Sequence, residues 1–316
     1  MRPSRGEGAP VAGILLMCGA VACFAFLDAT AKWLGQTMFA LDIVWLRYAA
    51  HIILVALFLR IWEDRSAFDT RRPWLHTLRG AHLLGATLFN FWAIQHLQLA
   101  EASAIMFAAP LIVTALAGPV LGETIGLRRW VAVGVGFIGV LIVTRPGTAA
   151  MHWAVGLSVV SVINYSLYTL LTRKMNATEN AHSLLLLPAF VGAGALAPFA
   201  PSALSALEGW QWALAGLMGV FGAVGHFMLV AAHGMAGAAL LAPFVYTQMI
   251  WMIVLGLLLF GDVPDVWTLV GSAIIAASGL YVLHRERVRA RLEPAVESGV
   301  TSAKQETDHA DAAGRL

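Results

Sequence analysis

Residues 252–259 read Met-Ile-Val-Leu-Gly-Leu-Leu-Leu, and residues 184–188 read Leu-Leu-Leu-Leu-Pro. A strand that crosses a bilayer alternates polar and apolar residues, because one face meets lipid and the other a lumen; neither run alternates. Both are apolar all round, as a helix surrounded by hydrocarbon has to be. Outward from them, runs of about 20 mostly apolar residues, the length that spans a bilayer core, recur with short polar breaks. They fall at 11–31, 43–62, 76–96, 102–121, 126–144, 153–172, 183–201, 210–232, 238–260 and 266–284. The expected fold is an all-α membrane protein of ten transmembrane helices.

Composition removes the competing classes. The 316 residues are 59% hydrophobic and 12% charged, with a mean hydropathy of +0.76, against roughly 25% charged residues in a soluble domain. A soluble enzyme with so few charges would expose apolar patches too large to stay dissolved. The balance of 20 basic and 18 acidic side chains leaves no basic face for nucleic acid. Cys18 and Cys23 point to different sides of one helix, so neither a disulfide nor a thiolate metal site is expected. No cofactor is implied. The first apolar run follows Arg2 and Arg5, contains Asp28 and lacks a small-residue cleavage site, so it reads as a retained span rather than a signal peptide.

Cytoplasmic loops carry an excess of Lys and Arg. With the N-terminus inside, 17 of the 20 basic residues fall on the inner side, from Arg2 and Arg5 through Arg71, Arg72, Arg128, Arg129, Arg173 and Lys174 to the cluster after Arg285. Arg145 and Lys32 fall outside, and Arg47 lies within the second span. Both termini are therefore expected in the cytoplasm. After Arg291 the chain has almost no large apolar residues, which makes 286–316 a disordered tail.

The chain repeats itself. Glu-Ala-Ser-Ala-Ile at 101–105 aligns with Ala-Gly-Ala-Ala-Leu at 236–240, and Leu-Gly-Glu at 121–123 with Phe-Gly-Asp at 260–262. Each half, 11–147 and 148–285, holds five spans, and an odd number turns the second copy upside down. Inverted repeats of this kind build secondary transporters with a site near the midplane.

The ten spans in two halves, with Leu-Gly-Glu at 121–123, Arg-Pro-Gly at 145–147 and Ala-Pro-Phe-Val-Tyr at 242–246, resemble the EamA-type branch of the drug/metabolite transporter superfamily. The stretch from Phe260 to Arg287 looks closest to a bacterial subgroup that includes uptake carriers for riboflavin and S-adenosylmethionine. The resemblance implies a multi-pass protein of the bacterial inner membrane, with helices one, three, four, six, eight and nine around the pathway and five and ten outside. A homodimer is compatible with it. Asp262 departs from the pattern, standing where many relatives have Glu.

Charges within spans are expensive and so mark cavities or partners. Asp28 and Lys32 lie four apart and can pair on one helix face; they are the candidates for coupling, with Asp28 taking a proton or a cationic group. Structurally, the same two residues would form a self-satisfied pair with Lys32 reaching the headgroups. Arg47 and His51 are also four apart; Arg47 could neutralise Asp28 or attract an anion, and a structural ion pair near the outer end is the expected role. Candidate substrate groups are Asn90, Trp92 and Gln95 in the third span, Asn164, Tyr165 and Tyr168 in the sixth, His226 in the eighth, and Tyr246, Gln248 and Trp251 in the ninth. Aromatic faces with a few amides and one imidazole suit a flat amphiphilic metabolite; the same residues also gather at membrane interfaces. Pro110, Pro119, Pro188 and Pro243 free backbone carbonyls inside spans, and the glycines of spans eight and ten allow close packing.

The expected function is secondary transport of a small amphiphilic metabolite, riboflavin-like or S-adenosylmethionine-like. An exporter of amino acids or drugs is the alternative on the same fold. A membrane enzyme acting on a lipid head group is the alternative of another class. The chain lacks His-Glu-x-x-His, Gly-x-Ser-x-Gly, a phosphate-binding loop and Cys-x-x-Cys, so no catalytic or metal residues are assigned. Glu123 and Asp262 are expected to end helices and bond neighbouring backbone.

Overall fold

The computed structural model describes residues 9–59, 68–122, 126–148, 151–175 and 178–285. Among these residues the protein is all-helical. The elements are α1 (Ala9–Leu34), α2 (Ala40–Leu59), α3 (Pro73–Ile94), α4 (Leu99–Met106), α5 (Ala109–Leu121), α6 (Leu127–Thr144) and α7 (Val155–Met175). They continue as α8 (Ala181–Ala195), α9 (Ala200–Ser205), α10 (Gln211–Met235), α11 (Ala238–Val245), α12 (Gln248–Leu255) and α13 (Val266–Arg285). Eight helices are long and apolar enough to cross a membrane, or nine if the bent pair His182–Ala195 and Ala197–Ser205 is one span. The expected span at 76–96 is present as the 22-residue α3, but His76, Arg79 and His82 make it too polar to count among the eight. Arg2, Arg5, Glu123 and the tail 286–316 lie outside the described residues.

The breaks have local causes. Pro110 near the start of α5 and Pro243 inside α11 each remove a backbone donor, and the chain steps out of helix at Phe107–Ala108 and at Tyr246–Thr247. These two interruptions, one in each half, face each other: the Phe107 and Tyr246 rings meet edge-on at 5.0 Å. The 59° bend after α8 passes through a short 3-10 turn at Ala197–Phe199. Ser202 on α9 then ties back to α2, its hydroxyl donating to the buried Asp42 carboxylate at 2.6 Å.

Packing between the halves is reciprocal. α1 lies along α10 and α3 along α7; α2 packs on α8, α4 on α12, and α6 on α13. The first helix of each half thus meets the third of the other, while the second, fourth and fifth meet their counterparts.

In lipid no hydrophobic force holds helices together, so close approach has to come from small residues. A Cβ at Gly219 would meet Ala50 at 2.5 Å, and one at Gly225 would meet Phe24 at 2.8 Å, which fits α10 against α2 and α1. The tightest backbone contact joins α6 to α13. A Cβ on Gly271 would stand 2.7 Å from the Gly139 carbonyl oxygen and 3.1 Å from the Val143 nitrogen. Backbone cannot rotate away as a side chain can. Gly271→Ala should therefore cost about 1–3 kcal/mol by overpacking. Gly134→Ala, on the open side of α6, serves as control, since nothing lies within 4 Å of its added methyl. Thermal unfolding of the two variants in detergent checks this; equal midpoints would contradict the tight crossing.

Candidate functional site

The side chains that carry charge into the bundle form a column along α1. Lys32, Asp28 and Phe24 recur every four residues, so they stack on one face of the helix.

At the top, Lys32 Nζ donates to Asp262 Oδ2 at 2.7 Å and to the Leu97 carbonyl at 2.8 Å. Its ammonium also lies 4.9 Å from the Phe260 ring centre. Lys32 thus pairs with Asp262 in the other half rather than with Asp28, and its side chain is 13% exposed. Asp262 reaches this position through its backbone: its N–H donates to the Gly256 carbonyl at 3.0 Å, closing a π-helical turn at Gly256–Phe260. Beside it, Gln98 Nε2 donates to the Val263 carbonyl at 3.3 Å and Arg145 pairs with Asp265 at 2.5 Å. Burial works against the Asp265 charge, but the Thr268 N–H and Arg145 together hold its carboxyl below the usual range. This end of the bundle is latched by charges that join the two halves.

One turn below, Asn90 Nδ2 donates to Asp28 Oδ1 at 3.3 Å, and Arg47 Nη1 donates to Thr87 Oγ1 at 2.7 Å. Tyr48 shares the Thr87 hydroxyl at 3.3 Å, and the guanidinium sits 5.7 Å from the Phe91 ring centre. The expected Arg47–Asp28 ion pair is not made; each charge is held by a neutral group on α3.

Below that, His226 stacks edge-on against Phe24 at 5.0 Å and against His51 at 5.6 Å. Its Nδ1 donates to the Gly222 carbonyl at 2.8 Å, which in the neutral imidazole leaves Nε2 as an acceptor. Trp251, 37% exposed, tilts over Phe26 at 6.1 Å on a neighbouring face of α1.

At the opposite end, Arg79 is 1% exposed, bonds Thr172 Oγ1 at 3.0 Å and the Leu184 carbonyl, and lies 5.2 Å from the Tyr168 ring centre. His76 and Glu179 pair at 3.3 Å. Burial opposes the Glu179 charge, but hydrogen bonds from Thr70 and His76 keep its carboxyl below its usual range. These contacts bind α3 to α7 and α8, again across the halves.

The structure brings together Asp28, Asn90 and His226 of the expected set, with Trp251 close by. The others lie apart. Trp92, 42% exposed, meets Trp153 at 6.3 Å in an aromatic group with His96 and His152 near the latched end. Gln95 packs on Gly35 and donates to the Met38 carbonyl at 3.4 Å. Asn164 is consumed between α3 and α7, accepting from His82 at 3.0 Å and donating to the Val160 carbonyl at 2.9 Å. Tyr165 and Tyr168 lie 6.3 Å apart, the second beneath Arg79. Tyr246 turns toward α13, its hydroxyl against Gly279 and without a partner. Gln248 is half-buried on the first turn of α12. Thr87, Arg79 and the His76–Glu179 pair are absent from the expected set. Arg79 alone carried a signal, as a basic residue inside an apolar run.

A polar column within an apolar helical bundle, tied across its halves at both ends, is the arrangement of a membrane transporter. The EamA-like transporter family model matches residues 11–145 and again 152–283, and the chain belongs to that family. It is a multi-pass membrane transporter and not an enzyme. Among its relatives, an S-adenosylmethionine uptake transporter of Rickettsia felis is 26% identical over 260 residues, 82% of this chain and 88% of that one. Riboflavin transporters of Vibrio cholerae and Rhizobium johnstonii are 26% and 27% identical over 296 and 301 residues, covering 90% and 92% of this chain and 97% and 96% of theirs. One crystal structure superposes with a TM-score of 0.57 at 17% identity, over 88% of this chain and 99% of that one, a likeness of fold.

Proposed function

We propose that the protein is a secondary carrier that moves a small amphiphilic metabolite across the bacterial inner membrane by alternating access. In this reading ten transmembrane helices form two inverted five-helix repeats, 11–147 and 148–285, with both termini cytoplasmic. The repeats rock about the column between α1, α2, α3 and α10. The observation that carries the reading is the reciprocal packing of the halves around half-buried charges, with a separate set of bonds across the halves at each end. Opening one set while keeping the other would expose the column to one side at a time. S-adenosylmethionine-like and riboflavin-like solutes are favoured by the names of the relatives; export of amino acids or drugs is the second reading. Asp28 is the coupling residue, and Lys32 enters coupling only through the latch with Asp262.

Purified protein in liposomes, offered labelled S-adenosylmethionine and riboflavin with and without a pH gradient, tests the proposal. Saturable accumulation of one of them supports it; no movement of either would remove these two solutes as substrates. The topology has its own test. A cysteine at position 174 should react with impermeant reagent only from the cytoplasm, and one at 148 only from outside. Reaction of both from one side would remove the ten-helix arrangement, since 148 precedes α7 and 174 lies on its last turn.

A further inference from the structure

Thr87 and Asn90 are three residues apart on α3, one turn along the same face, which separates them by about 4.5 Å of helix rise. Each holds one charge: Thr87 fixes Arg47 and Asn90 fixes Asp28. The ion pairs among the described residues are Lys32–Asp262, His76–Glu179 and Arg145–Asp265, so the two charges are not closed on one another. Asp28 and Arg47 are both only partly buried. Opposite charges at membrane depth gain by collapsing into contact or by taking a ligand between them. Here the neutral bonds to α3 oppose collapse.

We propose that this gap binds an α-amino-acid zwitterion, the substrate's ammonium on Asp28 and its carboxylate on Arg47. The inference rests on the carrier reading above and names its substrate class. A guanidinium offers parallel donors that match a carboxylate, and an ammonium offers three donors to an acceptor-only carboxylate. On an α-amino acid the two groups sit on one carbon, so a ligand between Asp28 and Arg47 spans a distance longer than a direct ion pair. Phe24, a turn further along α1, and His226 of α10, edge-on against it at 5.0 Å, border the space for the remainder of the molecule. Riboflavin, which has neither group, does not fit this gap.

The test uses the full-length protein in nanodiscs, titrated with S-adenosylmethionine, the twenty amino acids and riboflavin. For any zwitterion that binds, the decarboxylated and N-acetylated analogues are titrated as well. With wild-type protein each analogue should bind at least tenfold more weakly. Arg47→Gln should remove the penalty for losing the carboxylate, and Asp28→Asn the penalty for losing the ammonium. Thr87→Val, which keeps both charges, should weaken the parent ligand severalfold and preserve both penalties. Binding of riboflavin with no zwitterion bound, or equal binding of parent and analogues by wild-type protein, would overturn the proposal without the need for any variant to fold. Flux of the same ligands in liposomes is read separately: binding with these penalties but no flux would retain the clamp and remove the carrier.

Discussion

Asp28→Asn is expected to abolish uptake driven by a pH gradient while leaving exchange at saturating substrate measurable. The replacement keeps the size of the side chain and its bond with Asn90, but it cannot cycle a proton. Burial disfavours a carboxylate's charge and a facing cation favours it, and alternating exposure changes the balance between the two. If the ammonium of the substrate shares this carboxylate, the variant also loses affinity, which high substrate concentration restores in exchange but not in driven uptake. The measurement is gradient-driven uptake and exchange in the same liposomes, normalised to inserted protein. Driven uptake at the wild-type rate would show that Asp28 is structural, and loss of exchange at every concentration would show that it binds substrate or holds the fold and is not the coupling site.

The second large effect is expected at the latch. Asp262→Lys sets two ammonium groups against each other where Lys32 Nζ now lies 2.7 Å from a carboxylate. Breaking a largely buried pair while leaving one charge in place costs about 3–5 kcal/mol when burial is complete. At 13% and 23% exposure the latch should lose somewhat less, about 2–3 kcal/mol, or roughly 30- to 150-fold in the population of the closed end. Transport should fall by at least tenfold, because a carrier that cannot close one end cannot present its site to the other. The double exchange Lys32→Asp with Asp262→Lys should recover most of it. If the double variant stays inactive while both proteins insert at wild-type abundance, the ion pair is not the latch.

Much of the fold was legible in the sequence because apolar runs of membrane length leave few alternatives to helix, and the prolines at 110 and 243 mark the steps that the structure takes near them. The run 76–96 forms the helix α3 but is too polar to count as an apolar span. The site was legible only in part. Helical spacing tells which residues share a face, and it put Lys32, Asp28 and Phe24 on one side of α1. It does not tell what packs against that face. The partner of Lys32 is 230 residues away in sequence, and the i,i+4 reading supplied Asp28 in its place. Gln95 and Asn164 read from sequence as candidate substrate groups, yet tertiary contacts with Gly35 and with Gly85 and His82 claim them. Thr87 carried no signal, since a lone threonine in an apolar helix usually bonds its own preceding turn. Only the fold shows that it holds Arg47.

Counterflow tests the central claim most directly. Liposomes holding the wild-type protein are preloaded with unlabelled solute, either S-adenosylmethionine or whichever ligand the nanodisc titrations identify. They are then diluted into a trace of the labelled form with no ion gradient. An alternating-access carrier returns loaded with label faster than it returns empty, so labelled solute should rise transiently above equilibrium inside and then decay. Label that merely equilibrates at a rate independent of the internal solute would mean a pore, and label that never enters would contradict transport of that solute by this protein.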